Sequence, residues 1–455
     1  MTAVPQSYTL EHLPRDLRPM VSRWWERLLQ DPDSESACRS IDAMRWRQLT
    51  STVAASEFAA QALLRDPPLL RQLLDHGGGM AAQEVSIDPQ ADEAAVMASL
   101  RRWRRREMVR LLWRDLHAEC SVAQTLRALS DLADAAIRAA LDAAVRLLEP
   151  TFGTARNAAG EAVELIVLGM GKLGGRELNF SSDVDLIFLY GEGGESSGPR
   201  VVDNAEYFNR LGGLLIRLLD MVTEDGFVCR VDMRLRPFGQ SGPLVISLGS
   251  LEDYLQQHGR DWERYAWIKA RAICGAAGYA ATYRDCVRPF VYRRYLDFGV
   301  FESLRDMKAL IAREVARRDL EQHLKLGSGG IREIEFIAQS FQLVRGGSDP
   351  RLQNAAILEV LPMLAGSRLL GDAVVTSLLD AYFVLRKAEN AVQMIRDAQT
   401  HSLPADERDR ERLAIYLRCA DWPAALARID AARKVVAERF ESLVFGPPES
   451  KRAQA

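Results

Sequence analysis

A chain of 455 residues with a formal net charge of −3, 48% apolar and 27% charged residues has the make-up of an ordinary globular protein of about two to four domains. Its mild acidity weighs against nucleic-acid binding, which normally rests on a basic excess. Six cysteines without short-range pairing and six histidines without metal-ligand spacing exclude a disulfide framework and a zinc site, and fit a reducing cytoplasm.

The first residues, MTAVPQSYTLEHLPRDL, lack the basic-then-apolar pattern of a signal peptide, and no apolar run reaches about 18 residues, so the expectation is a soluble, cytoplasmic chain without membrane contact. Residues 1 to about 160 read as an N-terminal helical region. Trp24, Trp25, Leu28 and Leu29 recur at helical spacing, as do Phe58, Ala62, Leu63, Leu69, Leu70 and Leu73 around a break at Pro67-Pro68. Gly77–Gly79 reads as a loop. A long helix then carries Leu100, Trp103, Met108, Leu111, Leu112 and Leu116. Its basic run RRWRRRE (101–107) has two readings, a phosphate-binding or acidic-partner surface and a solvated helix face. A further helix spans about 122–148 and ends before Pro150.

The pattern changes from Glu164. Leu165 to Leu168 reads as a short strand, leading into GMGKLGGRELNFSSDVDLIFLY (169–190). Residues two apart on a strand share a face, so Asp183 and Asp185 present two carboxylates side by side. Leu186 to Leu189 are apolar on both faces, as a central covered strand requires. The acidic, Gly- and Ser-rich stretch 191–200 separates this strand from an amphipathic helix at about 203–224. FVCRVDMRLRP (227–237) reads as another strand, with Cys229, Val231, Met233 and Leu235 on one face and Arg230, Asp232, Arg234 and Arg236 on the other. A Gly-Pro turn, a short apolar run and a helical stretch over 250–271 follow.

From about 290 to 445 the chain reads as a C-terminal helical bundle, with a tail or linker at 446–455. Behind GSGG (327–330), Arg332, Glu335, Gln339 and Gln342 form a polar stripe on one helix face. The stripe either lines a cleft or seals a helix–helix contact. A later helix, 372–396, carries Leu378, Leu379, Tyr382, Leu385 and Ile395.

Two adjacent carboxylates at a buried strand end repel each other and lose hydration, and a divalent cation is a fitting partner. With Asp232 on a neighbouring strand the set becomes three, enough to hold two Mg²⁺ ions for a phosphoryl displacement. Lys172 and the backbone N–H groups of the turn Gly171 to Gly175, Gly174 included, can meet phosphate oxygens. Arg234 and Arg236 can make bidentate phosphate contacts.

A Gly-rich turn, Asp-x-Asp about ten residues on and a third Asp on a later strand resemble the nucleotidyltransferase superfamily of DNA polymerase β. The longer strings GMGKLGGRELNFSSDVDLIF, RVDMRLRPFGQSGPL, GRDWERYAWIKAR and GSGGIREIEFIAQ resemble the bifunctional glutamine synthetase adenylyltransferase/adenylyl-removing family, from roughly Ser56 to the 440s. NFSSDVD, with Ser181 and Ser182 before the pair, is similar to the N-terminal, adenylyl-removing half. The resemblance implies an α+β fold, a polymerase β-like core at 161–290 with a small mixed sheet, flanked by the helical regions 1–160 and 291–445. It implies that phosphate attacks the AMP phosphorus of an adenylylated tyrosine on glutamine synthetase, releasing ADP. Asp183 and Asp185 would ligate both metals and Asp232 one, with the uridylylated PII protein promoting the reaction and glutamine opposing it. Gln240 stands where family members often have Asp and, as an uncharged residue, is left out of the site. The forward reaction, ATP-dependent adenylylation of the same tyrosine, and a non-catalytic module that senses PII or glutamine are the alternatives. Trp262 and Tyr265 either stack on adenine or belong to the core.

Overall fold

Strand Val184–Tyr190 (β3 below) is the axis of the molecule, and the computed structural model describes its surroundings over residues 9–39, 41–79, 82–293 and 322–444. In chain order the strands are β1 (Ala155–Asn157), β2 (Leu165–Gly169), β3, β4 (Gly194–Ser196), β5 (Val231–Asp232), β6 (Val245–Ser247) and β7 (Arg271–Cys274). β2, β3, β5, β6 and β7 form a mixed sheet, and β1 pairs with β4 in a separate two-stranded ribbon. β2 runs antiparallel to β3 on one side. On the other, β3 pairs in parallel with β5 at its start and with β6 at its end. β7 lies antiparallel to β2.

The apolar run of β3 is buried as its composition requires, with Leu186, Ile187, Phe188 and Leu189 each at most 1% exposed. Phe188 and Tyr190 face the helix Asn204–Asp220, where Tyr190 stacks on Phe208 at 5.0 Å. The approach is close enough that a Cβ on Gly212 would come within 2.9 Å of the Phe188 ring. The fold is α+β, with helices before and after this sheet. The N-terminal ones include Arg18–Leu28, Ala43–Ala55, Glu57–Arg65, Pro67–His76, Glu93–Leu116 and Val122–Phe152; those after residue 322 are Ile331–Arg345, Ile357–Gly366, Asp372–Met394, Glu407–Leu417 and Trp422–Val444. No described helix is long and apolar enough to cross a membrane.

Several local expectations change. The break expected at Pro67-Pro68 separates the helices Glu57–Arg65 and Pro67–His76, and the prolines themselves begin the second: they occupy its first turn, where a missing N–H costs nothing, and Asp66 caps it by accepting from Leu69 N–H at 3.1 Å. The helix from Val122 runs through Pro150 and stops at Gly153, whose φ is +67°. So late in the helix, Pro150 removes a single hydrogen bond. Only Val231 and Asp232 of the stretch 227–237 form a strand. There the Asp232 carboxylate accepts the backbone N–H of Arg234 at 2.8 Å and turns the chain out of the sheet, a local bond that competes with a ladder. Strand β7 begins at Arg271, the last residue of the expected helical stretch. The tail at 446–455 and the first eight residues lie outside the described residues.

The basic run 101–107 fits neither of its readings. Arg101 is buried and donates to the carbonyls of Met97, Leu218, Met221 and Gly226. Arg104 pairs with Asp397, Arg105 with Asp225, and Arg106 with Asp66. Trp103 Nε1 donates to the Gln83 carbonyl at 2.7 Å. The run ties distant parts of the chain together.

Candidate active site

β3 and β5 bring the three aspartates together. Asp185 and Asp232 are register partners on neighbouring parallel strands, and Asp183 lies just before the first of these strands, close enough for its charge to act on Asp185. Burial pushes the Asp185 carboxyl up to about 6, helped by the charges of Asp183 and then Asp232. Burial acts on Asp232 in the same direction, but hydrogen bonds from Arg234 override it and hold its carboxyl below the ordinary range. Arg234 grips both Asp232 oxygens through Nε (3.0 and 2.7 Å) and adds a bond from Nη2. The Arg234 side chain is 71% exposed while that of Asp232 is 13% exposed. Oxygen donors alone suit a hard cation such as Mg²⁺, and the mutual repulsion at Asp185 marks negative charge that a cation would relieve. As they stand, no three Asp, Glu, His or Cys side chains among the described residues already converge on one metal position.

The glycine-rich turn is a single helical turn, Gly171–Gly174. Gly171 has φ +51°, and a Cβ there would meet Asp185 Oδ2 at 2.8 Å, so glycine lets the backbone lie against the carboxylate. At Gly174 a Cβ would sit 1.6 Å from the Lys269 carbonyl oxygen. The N–H groups of Gly174 and Gly175 already donate to Met170 and Gly171 carbonyls. Lys172 is nearly buried, donating to Asn179 Oδ1 at 2.7 Å and Glu389 Oε1 at 2.9 Å. Burial lowers its pKa to about 8 against the opposing pull of Glu389. Arg236 folds back on its own loop, donating to the carbonyls of Met233 (2.8 Å) and Pro243 (3.2 Å). Gln240 is exposed and its carbonyl accepts from Arg236 at 3.4 Å.

Behind the carboxylates runs a buried polar seam. The helix Asp372–Met394 carries Arg386, Glu389, Asn390 and Gln393, all 0% exposed. Asn390 accepts from Asn179 (2.9 Å) and Gln393 from the Ser181 N–H (2.8 Å). Ser181 Oγ donates to Asp397 (2.8 Å), which Arg104 holds through two bonds of 2.7 and 3.0 Å. Arg230 donates to both the carbonyl and the hydroxyl of Ser181, and the guanidinium groups of Arg104 and Arg230 both lie over the Phe227 ring. Ser182 Oγ accepts from the Asn179 N–H at 3.2 Å. Ser181 and Ser182 thus hold the loop that aims Asp183.

The polar stripe divides. Glu335 joins Lys269 (3.0 Å), which also holds Glu177 (2.8 Å); burial would raise the Glu335 carboxyl, yet Lys269 and Lys325 bring it down to about 2. Gln339 donates to the Tyr265 carbonyl at 3.2 Å and Gln342 to the carbonyls of Leu352 and Asn354 at 2.7 Å each. These glutamines seal contacts between elements. Arg332 is exposed. Tyr265 packs on Phe336, whereas Trp262 is 47% exposed. The residues missed in the sequence are Arg386, Glu389, Asn390 and Gln393. Their spacing of i, i+3, i+4 and i+7 was the available signal.

Residues 46–285, which hold all three aspartates, match the family model for glutamate-ammonia ligase adenylyltransferase. The chain belongs to that family. Residues 305–444 match the model for GlnD PII-uridylyltransferase. Among curated family members, the chain is 47% identical to the bifunctional glutamine synthetase adenylyltransferase/adenylyl-removing enzyme of Thioalkalivibrio sulfidiphilus, over 100% of the chain and 47% of that protein. It is 45% identical to the enzyme of the same description from Stenotrophomonas maltophilia K279a, over 95% of the chain and 46% of that protein. The Pseudomonas aeruginosa member is 44% identical, over 98% of the chain and 47% of that protein. The chain thus spans about half the length of the curated relatives it matches.

Proposed function

We propose that this chain is the adenylyl-removing half of such an enzyme, acting on adenylylated glutamine synthetase. The observation that carries the reading is the register of Asp185 against Asp232, with Asp183 beside them, in the span the family shares. The string NFSSDVD supports the direction. Bound at Asp183, Asp185 and Asp232, two Mg²⁺ ions would neutralise charge on the phosphoryl oxygens and on the departing tyrosine oxygen. An oxygen of hydrogen phosphate attacks the adenylyl phosphorus, the bond from phosphorus to the tyrosine oxygen breaks, and the proton carried by the phosphate ends on the tyrosine. The products are ADP and the unmodified tyrosine side chain of glutamine synthetase, so no oxidant, reductant or strong protein base is required. Arg234, exposed and among the described residues tied only to Asp232, can turn toward a phosphoryl oxygen. Ser181, Ser182 and Asn179 hold the loop so that the carboxylates stay aimed. PII protein and glutamine are the regulators this reading carries with it.

The test is incubation with adenylylated glutamine synthetase, Mg²⁺ and inorganic phosphate, with ADP as the expected product. Transfer of AMP from ATP without phosphorolysis overturns the assignment in favour of the forward reaction.

A further inference from the structure

The helices Arg18–Leu28, Glu57–Arg65 and Glu407–Leu417 enclose a cavity of about 570 Å³ that none of the active-site residues lines. That volume is in the range of small-molecule sites. Trp24 and Leu64 give it an apolar wall, and Trp24 Nε1 is already used on the Ala60 carbonyl at 2.8 Å. Four arginines share the lining: Arg23 and Arg27, one turn apart on the first helix, and Arg408 and Arg412, one turn apart on the last. Like charges at that spacing repel. Arg23, Arg27 and Arg408 are exposed, and among the described residues their side chains make no hydrogen bond or ion pair. Two carboxylates line the same space, Asp16 and Glu57. Glu57 is already held by Arg396, through two bonds of 3.0 Å, and by Arg412.

Arg412 is only 4% exposed, and its donors are unequally served. Nη1 meets Glu57 and, at 2.8 Å, Asp409. Nη2 donates to the Met20 sulfur at 3.2 Å, and the buried Nε has no acceptor among the described residues. A thioether is a weak acceptor, and a buried donor left without one is costly. Nε and Nη2 together form the edge of a guanidinium that grips a carboxylate or phosphate through two parallel bonds. Met20, half-buried and also on the cavity wall, covers that edge with a flexible side chain that can move aside.

We infer that this cavity is an effector site for a small organic dianion. One oxyanion group takes the Arg412 edge in place of the Met20 sulfur, the carbon body lies on Trp24 and Leu64, and the second group meets Arg23, Arg27 and Arg408. A compact inorganic anion would leave the apolar wall unused. Occupancy has a route to the aspartates. Arg396 shares both partners of Arg412, Glu57 and Asp409, and the next residue, Asp397, accepts from Ser181 Oγ at 2.8 Å and holds Arg104. The Glu57 N–H donates to the Ile395 carbonyl at 2.8 Å. An anion that draws Arg412 away from Glu57 and Asp409 changes their hold on Arg396, and with it the segment that braces the loop before Asp183. The effect on turnover rests on the proposed function, whereas binding does not.

The test titrates succinate, adipate and inorganic phosphate into the full chain by calorimetry, without Mg²⁺, so that no metal-bound anion contributes. At least one dicarboxylate should bind. The double variant Arg23→Ala, Arg408→Ala should bind it about 10- to 100-fold more weakly, the worth of a charge-assisted hydrogen bond, at an unchanged melting temperature because these side chains have no partner to lose. Met20→Ala, which uncovers the Arg412 edge, should bind it several-fold more tightly. With Mg²⁺, phosphate and adenylylated glutamine synthetase, saturating dicarboxylate should change the rate of ADP formation by the parent, and the double variant should not respond. No dicarboxylate binding, equal affinity in parent and double variant, or a lower melting temperature of the double variant overturns the site. Binding of phosphate alone overturns the organic dianion, and an unchanged affinity in Met20→Ala overturns the placement on Arg412. Dicarboxylate binding without any change in rate overturns the effector role. A parent that forms no ADP with or without dicarboxylate overturns the proposed function, and the calorimetry still decides the site.

Discussion

Arg234 occupies both oxygens of Asp232, the ligand group the proposed chemistry needs free. Its side chain is mostly exposed, and exposed ion pairs are worth about 1 kcal/mol or less, so a divalent cation can compete for the carboxylate. Arg234→Ala should therefore tighten Mn²⁺ binding a few-fold while lowering turnover, and electron paramagnetic resonance titration set beside an ADP assay separates the two effects. Weaker Mn²⁺ binding in that variant would contradict the idea of an internal counter-ion. Asp185→Asn should abolish phosphorolysis, by about 10²-fold or more, while the melting temperature holds or rises because a like-charge repulsion is removed. Full activity in Asp185→Asn would rule out the metal role. At this scale the sequence put Asp183 and Asp185 on one strand face, whereas the strand begins only at Val184 and Asp183 belongs to the loop before it. It gave Arg234 to phosphate and did not foresee its grip on Asp232, because the bond of a residue to its neighbour two positions back depends on where the strand ends.

Elements account for the glycines better than ligands do. Gly174 is the point where the turn after β2 passes the chain entering β7, at a distance that leaves no room for a methyl group. Gly174→Ala should cost about 3 kcal/mol or more, as other substitutions that force backbone apart do, and urea unfolding measures it. A loss below about 1 kcal/mol would mean that the contact relaxes freely. The helix Ile331–Arg345 supplies a pH signature. Lys269 keeps Glu335 ionised to about pH 2, so that pairing stabilises the fold above the ordinary glutamate value near 4.3, and the contribution is lost as the pH falls toward about 2. Glu335→Gln should be less stable at neutral pH and lose stability less steeply over that window in acid titrations followed by circular dichroism. Parallel curves would argue against it. Helices with strong apolar periodicity, such as Asn204–Asp220, were legible from spacing. The strand at 227–237 was over-read, because alternation of Arg and apolar residues continues through a turn that a carboxylate creates. β7 was missed, since four residues after a helix give too short a pattern to register.

The whole molecule is joined through buried polar groups between stretches far apart in sequence. Arg104 and Asp397, 293 residues apart, pair beneath the loop that carries Asp183. A double-mutant cycle on Arg104→Leu and Asp397→Leu should give a coupling of about 1–3 kcal/mol in denaturant unfolding, and additive effects would mean that the pair is incidental. Little of this was visible beforehand. The polar face of the helix Asp372–Met394 can be found by counting, but nothing in the chain says that it meets Asn179 and Ser181 instead of water. Long-range partners are a property of the packed fold. The seam also limits how such a gene could be rearranged. A chimera that took residues 1–293 from this chain and its later helices from a distant relative would leave Glu177, whose carbonyl accepts from Arg386, and Asn179 and Ser181 facing strangers unless Arg386, Asn390, Gln393 and Asp397 came with them. The aspartates and the helices behind them would have to be inherited together.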